Sequence, residues 1–299
     1  HGAILNPTRL EFENKSVFNP AVYQEGDKIQ IIYRAMNKDF KSCFGYAELD
    51  GPLSVAKRWR RPFLLPETAY EKKGIEDPRV VKIDNTFYVT YVAHDGFHAL
   101  IAYLYGPSLF KLKRGGVIST TMVYRDAVKL FTDRKLRDDY FFFASFYEKY
   151  AGGNVKVWEK DGVLFPEKFR GRFALVHRIL PDIQLAYFKD FRELESDAYW
   201  KDHIGNLNKH VLMEKRHGWE GRHIGAGAPP VKTDKGWLLI YHGCESLNRG
   251  RAYYGGAALL DLKNPQKLIA RLPYPLLKPE ERGERAGHEP GEVDCGRSP

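Results

Sequence analysis

Glu76, Asp77 and Arg79 are crowded into Gly74-Ile75-Glu76-Asp77-Pro78-Arg79-Val80, directly ahead of the alternating segment Val81-Lys82-Ile83-Asp84-Asn85-Thr86-Phe87-Tyr88-Val89-Thr90-Tyr91. Proline fixes φ and has no N–H to donate, so it suits the first residue of a strand and not its middle. Two carboxyl groups and a guanidinium are thus expected at the mouth of a strand, where a rigidly held acid could pass a proton to a reacting group. An acid before proline also caps turns, so Asp77 has a plain structural role to set against the chemical one.

The elements that would position these groups repeat. Segments like that of Asp77 run from Phe18-Asn19-Pro20-Ala21-Val22 to Tyr33-Arg34, from Leu164-Phe165-Pro166-Glu167 to His177-Arg178, and from Ala228-Pro229-Pro230-Val231 to Tyr241-His242. Each contains a central turn, at Gln24-Glu25-Gly26-Asp27, Asp84-Asn85, Arg170-Gly171 and Asp234-Lys235-Gly236, built of residues that tolerate positive φ and join antiparallel strands. A further strand follows in every case: Phe44–Asp50, Leu100–Tyr105, Ile183–Phe188 and Tyr254–Leu260. The opening prolines are 58, 88 and 64 residues apart, and the longest gap has room for a diverged unit containing the aromatic run Tyr140–Tyr147, which reads as a buried strand. Repeats of this length, each a small antiparallel sheet, predict an all-β, five-bladed β-propeller over residues 1–280. Short helices are expected between Glu195 and Met213 as decorations. Residues 281–299, rich in Gly, Glu and Arg, carry no strand pattern and read as an irregular tail.

The 299 residues are 43% hydrophobic, enough for a sizeable core, and no window approaches the roughly 18 apolar residues of a membrane span. A membrane partner is not expected. The net charge of +9 is spread along the chain, and no basic heptad or aromatic-glycine signature accompanies it, which argues against nucleic acid. Cys43, Cys244 and Cys295 are odd in number and far apart, as befits reduced thiols in a cytoplasmic protein, and their spacing resembles no zinc site. His1 stands where an initiator methionine would, with no basic-then-apolar leader behind it, which reads as a trimmed chain or a fragment. Gly225-Ala226-Gly227 lacks the Gly-Lys-Ser/Thr ending of a nucleotide loop and is expected to let the backbone pack closely.

Taken in order, Gly74-Ile75-Glu76-Asp77-Pro78-Arg79, Leu164-Phe165-Pro166-Glu167-Lys168, His177-Arg178, His223–Pro230, Gly236–Gly243 and Ala257–Leu262 resemble glycoside hydrolase family 130, the β-mannoside phosphorylases and their hydrolytic relatives. The resemblance covers roughly residues 5 to 280. It implies a five-bladed propeller and an inverting reaction in which inorganic phosphate attacks the anomeric carbon of a β-mannoside, releasing α-mannose 1-phosphate. No cofactor or metal is called for. Asp77 matches the catalytic acid, which in the phosphorylases delivers its proton through a sugar hydroxyl. Such an acid must stay protonated near neutral pH, and Glu76 or apolar walls would favour that. Asn19, Arg34, Glu76, Arg79 and Asp182 are the expected substrate contacts, since sugar hydroxyls call for fixed polar groups. Arg125, Lys168, Arg178, His223 and Tyr241 are the expected phosphate contacts, planar arginine being suited to bidentate anion recognition. Family members are often oligomers.

Two other functions fit the same residues. A hydrolase of the family would need a second carboxylate to activate water, with Glu167, Glu245 or Asp182 as candidates. A propeller that only binds carbohydrate or a protein partner would need neither Glu76-Asp77 nor gathered cations.

Overall fold

The computed structural model describes residues 3–133, 136–248 and 250–280. Among them the chain forms four successive antiparallel units, the first two linked into one eight-stranded sheet by the parallel pair of Ser42 with Gly74. Unit 1 contains β1 (Ser16–Glu25), β2 (Lys28–Met36), β3 (Ser42–Asp50) and β4 (Ser54–Arg58); unit 2 contains β5 (Gly74–Ile83), β6 (Thr86–His94), β7 (Ala99–Gly106) and β8 (Lys113–Val117). Helices α1 (Tyr124–Asp133) and α2 (Asp138–Ala151) follow. Unit 3 contains β9 (Glu159–Leu164), β10 (Phe173–Ile179), β11 (Ile183–Phe188) and, after α3 (Asp197–Gly205) and α4 (Leu207–His210), β12 (Val211–Met213). In unit 4, β13 (His223–Ala226) and β14 (Val231–Lys232) both pair with β15 (Trp237–Ser246), which continues to β16 (Arg251–Leu260) and β17 (Leu268–Arg271).

The turns fall where their residues demand. Asp84 and Asn85 join β5 to β6 with φ of 48° and 61°, the two left-handed positions of a tight hairpin. Gly26 supplies φ 61° between β1 and β2.

Apolar side chains fill the space between consecutive sheets. Phe44, Tyr46, Val80, Phe87 and Leu104 join unit 1 to unit 2. Ile101, Tyr103, Leu164, Phe173 and Phe188 join unit 2 to unit 3, and Val163, Phe165, Val176, Trp237 and Leu239 join unit 3 to unit 4. Each such side chain contributes about 1.5–3 kcal/mol on burial, so the units are held in series by sheet-on-sheet packing.

A polar brace recurs behind the second strand. Tyr33, Tyr91 and Tyr241 donate from their hydroxyls to Glu13, Glu71 and Glu220 at 2.7, 2.5 and 2.7 Å. Arg58, Arg114 and Arg271 from the last strands donate to the same three carboxylates. All three glutamates are fully buried, so each needs these donors to offset its desolvation.

The structure corrects three sequence expectations. The run Tyr140–Tyr147 lies in helix α2, not in a strand. Its buried members are Tyr140, Phe143, Ala144 and Tyr147, the three-and-four spacing of a helical face, while Phe142 is 59% exposed. No fifth antiparallel unit is present among the described residues, and helices α1 and α2 occupy the stretch assigned to it. Unit 3 opens at β9, ahead of the Pro166 that marked its start in the sequence. The fourth strands of units 1 and 2, Ser54-Val55-Ala56-Lys57-Arg58 and Lys113-Arg114-Gly115-Gly116-Val117, are short edges that give little periodic signal. The tail assigned to residues 281–299, with Cys295, lies outside the described residues.

Candidate active site

The first strands of units 1, 2 and 3 share one irregularity. Asn19, Asp77 and Asp161 take φ of 46°, 51° and 58°, and in each strand the register slips at that point: between Phe18 and Ala21, between Glu76 and Arg79, and opposite Val176 and Arg178. Left-handed backbone is strained for a residue other than glycine, and doubly so before Pro20 and Pro78. The bulge re-aims the side chain out of the pleat, and Asn19 and Asp77 are brought together by it.

Asn19 Nδ2 donates to Asp77 Oδ1 at 2.8 Å. Arg34, on β2 and 4% exposed, donates from Nη2 to Glu76 Oε1 at 2.7 Å and from Nε to Ser42 Oγ at 2.9 Å, with Nη1 3.4 Å from Asp77 Oδ1. Asp77 keeps about a tenth of its side chain open. Arg79 turns away from it, donating from Nε to the Gly227 carbonyl and from Nη1 to the Pro78 carbonyl at 2.8 Å.

Glu76 connects this acid group to a second one. Its Oε2 lies 3.5 Å from Lys160 Nζ on β9. Lys160 pairs across the ladder with Arg178 on β10, and Arg178 Nε lies 3.1 Å from Asp161 Oδ2. His242 Nε2 on β15 stands 3.5 Å from Arg178 Nη1 and 3.7 Å from Asp161 Oδ2, and His223 packs edge-on to His242 at 6.0 Å between ring centres. Asp161 Oδ2, Arg178 Nε and His223 Nδ1 are buried without a well-directed hydrogen-bond partner. Buried polar atoms in that condition are rare. Gly225 makes room for the cluster, since a Cβ there would stand 2.1 Å from Asp161 Oδ2.

Burial pushes the His242 imidazole down to about 4, with Arg178 and Arg79 adding to the fall and Asp161 opposing it. Burial likewise drives His223 well below the usual histidine range, helped by Arg178 and His242. Both rings are therefore neutral near pH 7 and act as hydrogen-bonding groups. Burial disfavours the charge on Arg178, yet Asp161 and its other neighbours carry its pKa above the usual arginine value. Arg178 and Lys160 are cations of this side, and Arg222 and Arg251 lie close enough to help lower the pKa of His223.

Of the residues singled out in the sequence, Asp77, Asn19, Arg34, Glu76, Arg178 and His223 meet here, with Arg79 on the rim. Four stand elsewhere. Lys168 pairs at 2.6 Å with Asp84 in the β5–β6 turn, at the far end of the strand from Asp77. Tyr241 belongs to the Glu220–Arg271 brace. Asp182 is fully buried against Arg137 at 2.6 Å, Tyr140 at 2.9 Å and the Lys215 backbone N–H at 2.9 Å. Arg125 is exposed in the first turn of α1. The candidate bases are occupied too: Glu167 pairs with Lys232 at 2.6 Å, and Glu245 accepts from Tyr254 at 3.0 Å.

Lys160 and Asp161 were missed, and His242 was passed over for its neighbour Tyr241. A signal existed. Asn19 and Asp77 each lie 14 residues before the brace tyrosine, and Asp161 lies 16 before His177, whereas Pro166 is 11 before it against 13 for Pro20 and Pro78. Lys160-Asp161-Gly162-Val163 is the counterpart of Glu76-Asp77-Pro78-Arg79, with glycine in place of proline.

An acid steadied by an amide and a guanidinium, one ion pair away from a buried arginine and lysine, can protonate a leaving oxygen on one side while an anion is held on the other. The comparisons agree with an enzyme of that class. The model of glycoside hydrolase family 130, described as beta-1,4-mannooligosaccharide phosphorylase, matches residues 5–297. A beta-1,2-mannobiose phosphorylase of Thermoanaerobacter sp. (strain X514) is 34% identical over 98% of this chain and 86% of its own. A 1,2-beta-oligomannan phosphorylase of the same organism is 31% identical over 96% and 84%. The structure of the Listeria innocua beta-1,2-mannobiose phosphorylase in complex with beta-1,2-mannobiose shares the fold, with a TM-score of 0.64 at 21% identity over 89% of this chain and 77% of that one. The chain belongs to glycoside hydrolase family 130.

Proposed function

We propose that this protein is an inverting β-mannoside phosphorylase in which Asp77 is the proton donor and Lys160, Arg178 and the neutral His242 hold inorganic phosphate. The observation that carries this is the Glu76–Lys160 contact of 3.5 Å, which makes the acid and the cations one continuous site. Hydrogen phosphate would attack the anomeric carbon from the face opposite the glycosidic oxygen. The C1–O bond breaks as the leaving oxygen takes the proton of Asp77, directly or through a sugar hydroxyl, and the proton lost by the phosphate restores the acid. The products are α-mannose 1-phosphate and a shortened saccharide. Asn19 and Arg34 would fix the mannosyl ring beside Asp77.

The two relatives that are 34% and 31% identical over 98% and 96% of the chain bear β-1,2 names, so β-1,2-mannobiose is the first substrate to try, ahead of its β-1,4 isomer. Asp161 is the one feature that favours hydrolysis, being a second carboxylate beside the site. Its pairing with Arg178 at 3.1 Å counts against a free general base. Incubating the protein with each mannobiose, with and without phosphate, and separating mannose 1-phosphate from mannose tests both readings. Equal turnover without phosphate would reject phosphorolysis.

The packing of each unit on the next supports blades in series around this site, and a five-bladed ring would place its remaining sector between unit 4 and unit 1. Action without a cofactor, a cytoplasmic location and a homo-oligomeric state are parts of the same proposal, to be tested by metal removal, fractionation and light scattering.

A further inference from the structure

We propose that His177 is a positioning residue for phosphate: held between Glu159 and His203, it fixes the parts of β9 and β10 that present Lys160 and Arg178. This rests on the assignment of Lys160 and Arg178 as phosphate ligands.

In units 1 and 4 the residue after the brace tyrosine enters the site: Arg34 follows Tyr33, and His242 follows Tyr241. Arg178 stands in the same place in unit 3, but there the brace position is His177. A tyrosine offers one polar atom to its glutamate, whereas an imidazole offers two, on opposite edges. Both are used. His177 Nδ1 lies 2.7 Å from Glu159 Oε2, and Nε2 lies 3.1 Å from His203 Nε2 on α3. His177 and Glu159 have no exposed surface, and His203 is 2% exposed.

Proton positions follow from the neighbours. Glu159 Oε1 accepts from the Thr120 backbone N–H at 2.7 Å, so its other oxygen is served by Nδ1–H of His177. Burial, then His177 and His210, push His203 well below the usual range and leave it neutral. One proton shared across the 3.1 Å gap between the two Nε2 atoms links His203 to His177. The resulting file, from His203 through His177 to Glu159, ties helix α3 to β10 and β9. Glu159 immediately precedes Lys160, and His177 immediately precedes Arg178. Side chains alternate across a strand, so the file anchors the backbone from behind while the two cations serve the site. His177 touches neither sugar nor phosphate in this arrangement.

The test is steady-state phosphorolysis of β-1,2-mannobiose with phosphate varied, using wild type, His177→Asn and His177→Ala. Asparagine keeps an N–H donor near the place of Nδ1. His177→Ala is expected to raise the KM for phosphate at least tenfold, with kcat and the KM for mannobiose within about threefold, and His177→Asn to keep phosphate KM within about threefold. Should His177→Ala fail to fold, His203→Ala on α3 carries the same expectation at three- to tenfold. Phosphate-dependent wild type combined with an unmoved phosphate KM in the alanine variants overturns the positioning role alone. That role is overturned equally if all constants fall together and asparagine restores none. Wild-type turnover that ignores phosphate overturns the underlying assignment, and this role with it.

Discussion

Gly225→Ala puts a methyl group where Asp161 keeps its carboxylate. The new Cβ would stand 2.1 Å from Asp161 Oδ2 and 2.6 Å and 2.8 Å from His242 Cε1 and Nε2, all well inside van der Waals contact. Neither neighbour yields freely, because Asp161 is buried against Arg178 at 3.1 Å and His242 follows the braced Tyr241. Overpacking of this kind costs about 1–3 kcal/mol. If Asp161 moves off Arg178 to relieve it, the same energy is lost from the organised site, about 5- to 150-fold in kcat/KM. Gly153→Ala is the control, since nothing lies within 4 Å of its added Cβ. The assay pairs initial rates of phosphorolysis with thermal unfolding for both variants. A Gly225→Ala protein with kcat/KM within twofold of wild type and an unchanged midpoint would refute the close placement of Gly225, Asp161 and His242.

Further expectations concern the braces, the histidines and Arg34. Tyr241→Phe removes one donor from buried Glu220 and should cost about 1–3 kcal/mol in urea unfolding, and Lys168→Ala breaks an ion pair worth at most about 1 kcal/mol; both should leave phosphate KM within twofold, and a larger rise would return them to the site. His242 has its folded pKa below the unfolded value, so its contribution is present above pH 6.5 and is lost as the pH falls from 6.5 towards about 4. At ~1.4 kcal/mol per pKa unit the upper limit is about 3 kcal/mol, reduced by solvent because a quarter of the side chain is open; urea titrations at pH 7.5 and 4.5 should show a smaller acid loss for His242→Gln than for wild type, and an equal loss would count against the buried neutral ring. Arg34→Gln leaves Glu76 and Asp77 without their guanidinium and should destabilise by about 3–5 kcal/mol while lowering turnover by at least a hundredfold, with Arg34→Lys failing to restore it; near-normal kinetics in either variant would exclude Arg34 from the site.

The strand pairs were legible because their turns are chemically explicit, as at Asp84-Asn85, and because apolar alternation survives wherever one sheet packs on the next. Short edge strands were not, since β4 and β8 carry lysine, arginine and glycine in place of periodic apolar residues. Helix α2 was mistaken for a strand because six of the eight residues Tyr140–Tyr147 are aromatic, which hides a three-and-four period beneath a continuous apolar run. At the site, Asp77 was visible through its proline. Asp161 was not, because glycine reaches the same bulge without that marker, and following Pro166 shifted the candidate lysine from Lys160 to Lys168. Which polar residues face inward depends on register, and a slip of one residue exchanges Tyr241 for His242.

The central claim is that Asp77 protonates the leaving saccharide while phosphate attacks from the opposite face. Phosphorolysis of β-1,2-mannobiose by wild type and Asp77→Asn, followed by ³¹P NMR of the sugar phosphate, tests it most directly. The expected result is α-mannose 1-phosphate from wild type and a loss of at least about a hundredfold for Asp77→Asn, with thermal unfolding showing the variant still folded. An Asp77→Asn protein that makes the same product at the wild-type rate would contradict it.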